Sequence, residues 1–490
     1  MKTILGAILL LGSAASSTAP VPRDWSQTAV DDLHFIRAIL RENHPGPVDA
    51  ENPRFLDWYR RGFEGALERA RKTKDFAGYF FSVGYYMAGF HDGHLGALVE
   101  RHIEDHLSEK RLDRRWPGFV VGYENGSFVV TNVDPNLRGG PQSGDRLLAC
   151  DGRAADDWAR EIIGEYSGLW FLPGERSVLA PLLAIDEGNP FVRVPEQCTF
   201  QPASGGRTYA ARLHWMRTTG AELLAALPKT RSPQPGLRRA GADRTAYWIT
   251  IPSLALGDPA TGAALKTLTE EVRAAAPEIR ASREVVFDVR GNRGGSSEAG
   301  RALLAAIWGD SAVVSVQPLP AAIDWRLSSG NVRFLRDANL RSLRRQFGDD
   351  SPKAREYERM IVEMEGALAR GDVFFREITH PPETVAKTAP AGARPILLTD
   401  NVCASACLDF ADIVLRLPGA MHYGRETSAD ALYIDNRTIS LPSGIGVLGF
   451  SMKVYRGRIR GDNETYRPAN VWKGDIEDTA ALEKWILGGQ

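Results

Sequence analysis

The period of the apolar positions changes along the chain, and the changes mark its parts. From residue 25 to about 90 they recur at helical spacing, as in Val30 to Leu40 with Leu33, Phe35, Ile36, Ile39 and Leu40. Further helices are predicted over Phe55 to Ala70 and Phe76 to Met87, and His44, Pro45, Gly46 and Pro47 end the first. Between Arg114 and about Arg217 the texture becomes short β-like runs. Gly118 to Tyr123 and Ser127 to Val133 are separated by Glu124, Asn125 and Gly126, a hairpin signal. Residues 220–243 are rich in Pro, Arg and Gly and read as a linker. From Arg244 strands alternate with helices: Ala246 to Ile251, Ala260 to Ala275, Glu284 to Arg290, Ser296 to Trp308, Pro395 to Leu398 and Ala406 to Leu415. This alternation predicts a layered, mostly parallel core. Residues 320–385 interrupt it with two charge-rich amphipathic helices, Asn331 to Phe347 and Pro352 to Ala369, either an inserted arm or lid or a solvated helical pair. A last helix is predicted over Asp478 to Leu487.

Composition narrows the class. The chain has 490 residues, 43% hydrophobic and 25% charged, with a formal net charge of −1. That is a multidomain globular composition, and nothing in the charge points to nucleic acid or an anionic membrane surface. Lys2 followed by the apolar Ile4 to Leu11 and then small residues reads as a signal peptide over residues 1–19, with Ala15 or Ala19 as the cleavage site. No later apolar stretch reaches the ~18 residues of a membrane span. The expected protein is therefore secreted or periplasmic and soluble. Its four cysteines, Cys150, Cys198, Cys403 and Cys407, permit two disulfides in three connectivities, or small buried thiols.

Three stretches carry candidate chemistry. Ser405 stands between the apolar run Pro395 to Leu398 and the helix from Ala406, at a strand-to-helix turn. A helix start offers unpaired N–H groups and partial positive charge, which a serine nucleophile needs beside it. The same place suits a serine that merely caps the helix. Cys403 and Cys407 bracket it. Gly291 to Gly295, after a predicted strand, is a glycine loop that lets backbone approach a ligand and aims N–H groups at an anion, a phosphate or an oxyanion. His91 to His94 is a His-Asp-Gly-His loop in which a histidine is a candidate general base with its tautomer fixed by a carboxylate. His102 and His106 follow and open a zinc reading, although their order is not that of a metalloprotease helix.

In chain order these pieces form a pattern: "DGH", a β module containing "GDRLLACDG", a strand ending "FDVRGNRGG", and "NVCASAC" at a strand-to-helix turn. This resembles the C-terminal-processing, or tail-specific, serine peptidases of family 41, with their tricorn-core relatives. The resemblance covers most of the chain. It implies an α/β multidomain fold with a ClpP/crotonase-like spiral core over 240–490, carrying the insertion at 320–385. It also implies an N-terminal helical module over 24–112 and a PDZ-like β domain over 113–218. It places Ser405 on the nucleophile, the Gly294 and Gly295 loop and Ala406 on the oxyanion donors, and His94 on the base. Glu464, in "GDNETYRP", falls where the tricorn-like branch has the glutamate that orients the histidine. The serine–lysine branch has a lysine near the place of Asp430; here none occurs before Lys453. The implied activity is hydrolysis of protein or peptide substrates by a Ser-His-Glu triad without metal or cofactor, with tail recognition by the PDZ-like domain. The absent lysine and the altered "GRETSAD" loop leave a second reading, a peptidase scaffold that binds peptides without cleaving them.

Overall fold

The computed structural model describes residues 23–99, 114–218, 233–379 and 392–488. The predicted signal peptide and His102 and His106 lie outside the described residues.

Three helices come first among the described residues, Trp25–Asn43, Pro53–Ala70 and Phe76–Ala88. Each begins at a short polar cap. Asp24 accepts from Gln27 N–H, Asn52 from Phe55 N–H and Asp75 from Gly78 N–H, so one otherwise orphaned donor is satisfied at each start. Their apolar stripes, with Leu33, Ile36, Leu40, Phe63, Tyr79 and Val83, meet one another and also Leu448, Phe450 and Val454. The helical module therefore shares its core with strand Gly446–Arg456, more than 350 residues later in the chain.

That strand is the centre of an antiparallel sheet. Gly96–Val99 and Ala322–Arg326 flank it, Phe374–Ile378 pairs beyond the latter, and Tyr433–Ser440 folds back on it. The sheet's second face holds the insertion. Its helical segments Ser329–Phe334, Leu335–Leu340, Arg341–Phe347 and Pro352–Ala369 bury Leu335, Leu340, Ile361 and Met364 against Trp325 and Met452. The insertion is thus packed structure, neither a solvated pair nor a free arm, and two of its strands belong to the sheet.

The second large sheet runs Gly236–Ala240, Ala246–Thr250, Glu284–Asp288, Arg394–Thr399, Met421–Gly424 and Asn470–Val471 in spatial order. The first pair is antiparallel and the rest are parallel. Side chains alternate between its faces with period two. Tyr247, Ile249, Val285, Phe287 and Leu397 pack under helices Pro259–Ala274, Ser297–Trp308 and Ala406–Val414. Trp248, Val286, Ile396 and Leu398 pack on Leu482 and Ile486 of the last helix, Thr479–Leu487. Residues 220–232 of the expected linker lie outside the described residues, and its end is corrected, because Gly236–Ala240 is an edge strand. Its Leu-Arg-Arg centre has no apolar alternation, since only one neighbour pairs with it.

The β module is a separate antiparallel sheet, Phe119–Glu124, Ser127–Val133, Arg146–Cys150, Gln197–Gln201 and Tyr209–Arg212 in that order. Cys150 and Cys198 are partners in register and form a disulfide; Cys403 and Cys407 form the other.

One buried histidine gives the fold a pH dependence. His422 Nε2 lies 2.8 Å from Thr399 Oγ1, whose own proton goes to Arg425 O at 2.7 Å, so His422 Nε2 carries a proton and donates. Burial pushes its pKa from 6.5 down to about 4. The folded state resists a proton that the unfolded chain accepts near pH 6.5. This contribution to stability is present above pH 6.5 and is lost as the pH falls towards 4, about 3 kcal/mol in all. His422→Gln should flatten the acid limb of a Tm-against-pH curve over that window. An unchanged slope would show that His422 is not the group responsible.

Candidate active site

The site lies where the two large sheets meet. Strand Arg394–Thr399, buried along most of its length, delivers the chain to a turn that Asp400 pins. Asp400 Oδ1 accepts from Val402 N–H at 3.1 Å, and Oδ2 accepts from Gly291 N–H at 2.7 Å. The serine turn and the glycine loop are therefore tied by one carboxylate. Burial pushes that carboxyl up to about 6, against the pull of its two N–H partners.

Ser405 occupies the N-cap position of helix Ala406–Val414 but does not cap it. Its side chain makes no cap hydrogen bond, and its backbone sits at φ 55° and ψ −127°. A non-glycine residue there costs about 1–3 kcal/mol and is kept only when its surroundings impose it. The Cys403–Cys407 disulfide spans the turn, and Gly294 presses on it from the other side. A Cβ added at Gly294, itself at φ +97°, would stand 2.7 Å from Ala404 O, 2.8 Å from Ser405 Cβ and 2.9 Å from Ala406 N.

His94 reaches Ser405 from the antiparallel sheet. Its Nε2 lies 3.3 Å from Ser405 Oγ, and its Nδ1 lies 3.0 Å from the carbonyl oxygen of Tyr433. A carbonyl only accepts, so Nδ1 carries the proton and the Nε2 lone pair faces the serine hydroxyl. Asp92 holds the loop rather than the ring, since its Oδ1 accepts from His94 N–H at 2.8 Å. The carbonyl itself is anchored. Tyr433 donates its hydroxyl to Asp49 at 2.9 Å, and its ring stands edge-on to His44 and Phe55. His44, fully buried, accepts from Gly46 N–H at Nδ1 and turns its Nε2 towards Asp92 Oδ2 at 3.6 Å. Burial holds its pKa below the usual value.

The groups expected as oxyanion donors are now distinguishable. Gly294 N–H donates to Asn292 Oδ1 at 2.8 Å and is committed. For Gly295 N–H and Ala406 N–H no acceptor exists among the described residues. Gly294 thus serves by being small, and Gly295 and Ala406 have N–H groups to offer. Gly295 is held by Leu254, which donates to Gly294 O at 3.0 Å and accepts from Ser296 N–H at 2.8 Å.

Glu464 is not brought to His94. Its Oε2 accepts from Gly461 N–H at 2.6 Å, and it lines a cleft with Arg460 and Tyr466 away from the serine. The place expected for its carboxylate is taken by the Tyr433 carbonyl. At Asp430, where the serine–lysine branch of the resembled peptidases would have its lysine, the carboxylate is buried between Arg458 at 3.2 Å and Arg460 at 3.4 Å. Lys453 pairs with Asp435 at 2.8 Å and lines another cavity, under the insertion. Among the described residues no three metal-ligating side chains converge.

Ser405 and His94 open on a cavity of about 530 Å³, walled by Phe80, Val83 and Met87 and carrying Glu175 and Arg293. Glu175 comes from the β module and accepts from Ser428 Oγ at 2.8 Å. It and the Tyr433 carbonyl are the site groups that motif reading misses. The first stands in no motif, and the second is backbone.

No family model matches the chain, and no curated protein matches it in sequence. Solved structures do match in fold. Mature CPAF aligns with a TM-score of 0.60 at 14% identity, over 94% of this chain and 96% of that one. Mature CPAF complexed with lactacystin gives 0.57 at 14% identity, over 94% and 98%. The photosystem II D1 C-terminal processing protease is also a structural neighbour, at a TM-score of 0.37 and 13% identity, over 94% and 98%. The chain is similar in fold to CPAF along nearly its whole length.

Proposed function

We propose that this chain is an exported serine endopeptidase that cuts protein or peptide substrates at Ser405. The observation that carries the reading is the pair Ser405 Oγ and His94 Nε2 at 3.3 Å, with the His94 proton fixed on the far nitrogen. Ser405 Oγ attacks the peptide carbonyl carbon while His94 Nε2 takes its proton. The oxyanion that forms is met by the N–H groups of Ala406 and Gly295. As the intermediate collapses the C–N bond breaks and His94 returns the proton to the leaving amine. Water then hydrolyses the acyl-serine with His94 again as base. The Tyr433 carbonyl orients the imidazole and accepts from the imidazolium.

The rest of the proposal concerns context. The parallel sheet and its helices are read as a ClpP/crotonase-like core over 240–490. The β module over 113–218 is read as PDZ-like. Its strand Phe119–Glu124 is a sheet edge, the position at which strand addition captures chain tails. Two disulfides favour an oxidising compartment and so support export.

The test is cleavage of an unfolded protein by wild type, Ser405→Ala and Glu464→Gln. Activity that disappears with Ser405→Ala is expected. Glu464→Gln should cost less than about tenfold in kcat, since no hydrogen bond to the base is lost. A loss near that of the serine variant would restore Glu464 as the third catalytic member. A wild type that binds tail peptides without cutting them would favour the binding-protein reading, which the displaced Glu464 and the buried Asp430 motivate.

A further inference from the structure

Four charged side chains and one histidine line the Ser405 cavity: Asp92, Glu175, Arg293 and Asp430, with His94. Four of these five have partners on the protein. Asp92 accepts from His94 N–H and faces His44; Asp430 is neutralised by Arg458 and Arg460. Glu175 accepts from Ser428, and His94 sits between Ser405 and Tyr433. Arg293 is the exception. It is exposed, and no hydrogen bond or ion pair engages its guanidinium among the described residues. The other arginine of the same loop, Arg290, is buried and spent on Asp288, Ile476 O and Thr479.

The backbone that carries Arg293 is rigid on both sides. Asn292 donates to Ile251 O at 2.8 Å and accepts from Gly294 N–H, and Gly294 lies against Ser405. A free guanidinium is therefore fixed at its root, one residue from the atom that packs on the nucleophile. An extended peptide advances about 3.4 Å per residue. A side chain of arginine length at this root covers the substrate positions next to the scissile bond. Its planar fork matches a carboxylate.

We propose that Arg293 is the specificity residue of the cleft. It selects peptides with a carboxylate within about two residues of the scissile bond, whether from an Asp or Glu side chain or from the chain's own C-terminus. The inference rests on the proposed peptidase reading for its substrate and on Arg293 for its selectivity.

The test uses matched peptides that differ only at the positions flanking the cut: Glu, Gln or Lys within amidated peptides, and an uncharged peptide ending in a free carboxylate at the same distance. Wild type should favour Glu over Gln about tenfold in kcat/KM, the size of one charge-assisted hydrogen bond in a cleft. In Arg293→Gln that ratio should fall to about one, and Arg293→Glu should favour Lys. A preference for the free terminus over internal Glu would assign the carboxylate to the chain end. Equal ratios in wild type and Arg293→Gln would overturn the proposal. The same peptides, labelled, are titrated onto Ser405→Ala and onto Ser405→Ala with Arg293→Gln. If wild type cleaves nothing, the peptidase reading fails, while the Glu-over-Gln affinity ratio still decides for or against Arg293.

Discussion

Ser405→Gly is expected to abolish peptidase activity and at the same time to raise Tm. The two halves of this result separate the nucleophile from the helix cap. A serine that caps a helix stabilises it by about 0.5–2 kcal/mol, so its removal lowers Tm. Here the Ser405 hydroxyl makes no cap bond, and the residue sits at φ 55° and ψ −127°, a region that glycine occupies without strain. Removing the side chain therefore relieves strain of about 1–3 kcal/mol, less the entropy glycine adds to the unfolded chain. Activity should fall by at least a thousandfold, because the Ser405 hydroxyl is the one that faces the free lone pair of His94 Nε2. Ser405→Ala should lose as much activity with little change in Tm, since alanine inherits the strain. His94→Ala should fall to the same floor, and the double variant no lower, because the two act as a unit. A lowered Tm in Ser405→Gly with activity retained would return Ser405 to a capping role.

How much of this was legible in the sequence depends on where each signal lives. The parallel core was legible because its strands are short apolar runs between amphipathic helices, so period two and period 3.6 alternate cleanly. Gly236–Ala240 was not, because an edge strand with an Arg-Arg centre has the composition of a linker. The strands Ala322–Arg326 and Phe374–Ile378 were missed for a related reason. Each is five residues long and carries charge, and the insertion's sheet partner is strand Gly446–Arg456. Arg460 lies in "RGRIRGD", which reads as solvated surface. It is 2% exposed and holds Asp409, Asp412 and Asp430. Its partners come from two other places in the chain, helix Ala406–Val414 and Asp430, and no local pattern announces them.

The site divides in the same way. Ser405 and His94 were legible because each stands in a turn whose neighbours are constrained, a strand-to-helix junction and an Asp-Gly loop. The group that orients His94 was not. A carboxylate was the natural expectation, and Glu464 sat at a suitable place in the chain. The structure supplies a main-chain carbonyl, a group that every residue has and that no residue type marks. Tyr433 is recognisable only in three dimensions, by the Asp49 hydrogen bond and the aromatic contacts that fix it. The glycine loop was legible as backbone able to approach closely, and it lies beside the serine turn, but the division of labour within it was not legible. That Gly294 N–H is taken by Asn292 follows from a turn within the loop.

That division makes Gly294→Ala the second large effect. Gly294 contributes no free N–H, so a reading based on donors alone predicts a mild variant. Its Cα, however, lies against the Ser405 turn. A methyl group there would meet Ala404 O at 2.7 Å, Ser405 Cβ at 2.8 Å and Ala406 N at 2.9 Å, and two of these three atoms are backbone. Neither backbone atom swings aside as a side chain would, because the Cys403–Cys407 disulfide and the Asp400 tether hold the turn. The contact is relieved only by shifting the serine turn and the glycine loop apart, which misplaces Ser405 Oγ and the Ala406 donor together. Loss of one aligned oxyanion donor costs about two to three powers of ten, and kcat for Gly294→Ala should fall by at least that much. The loop lies outside the apolar clusters, so the variant should remain folded. Gly309→Ala is the control. Gly309 has a similar φ of +85°, but a Cβ there meets nothing within 4 Å. It should lose only about 1–3 kcal/mol of stability to backbone strain, with kcat unchanged. If Gly294→Ala and Gly309→Ala behave alike, the pressure of Gly294 on Ser405 has no catalytic consequence. If only the first loses activity, close packing of a glycine with no free donor is part of what holds the nucleophile in place.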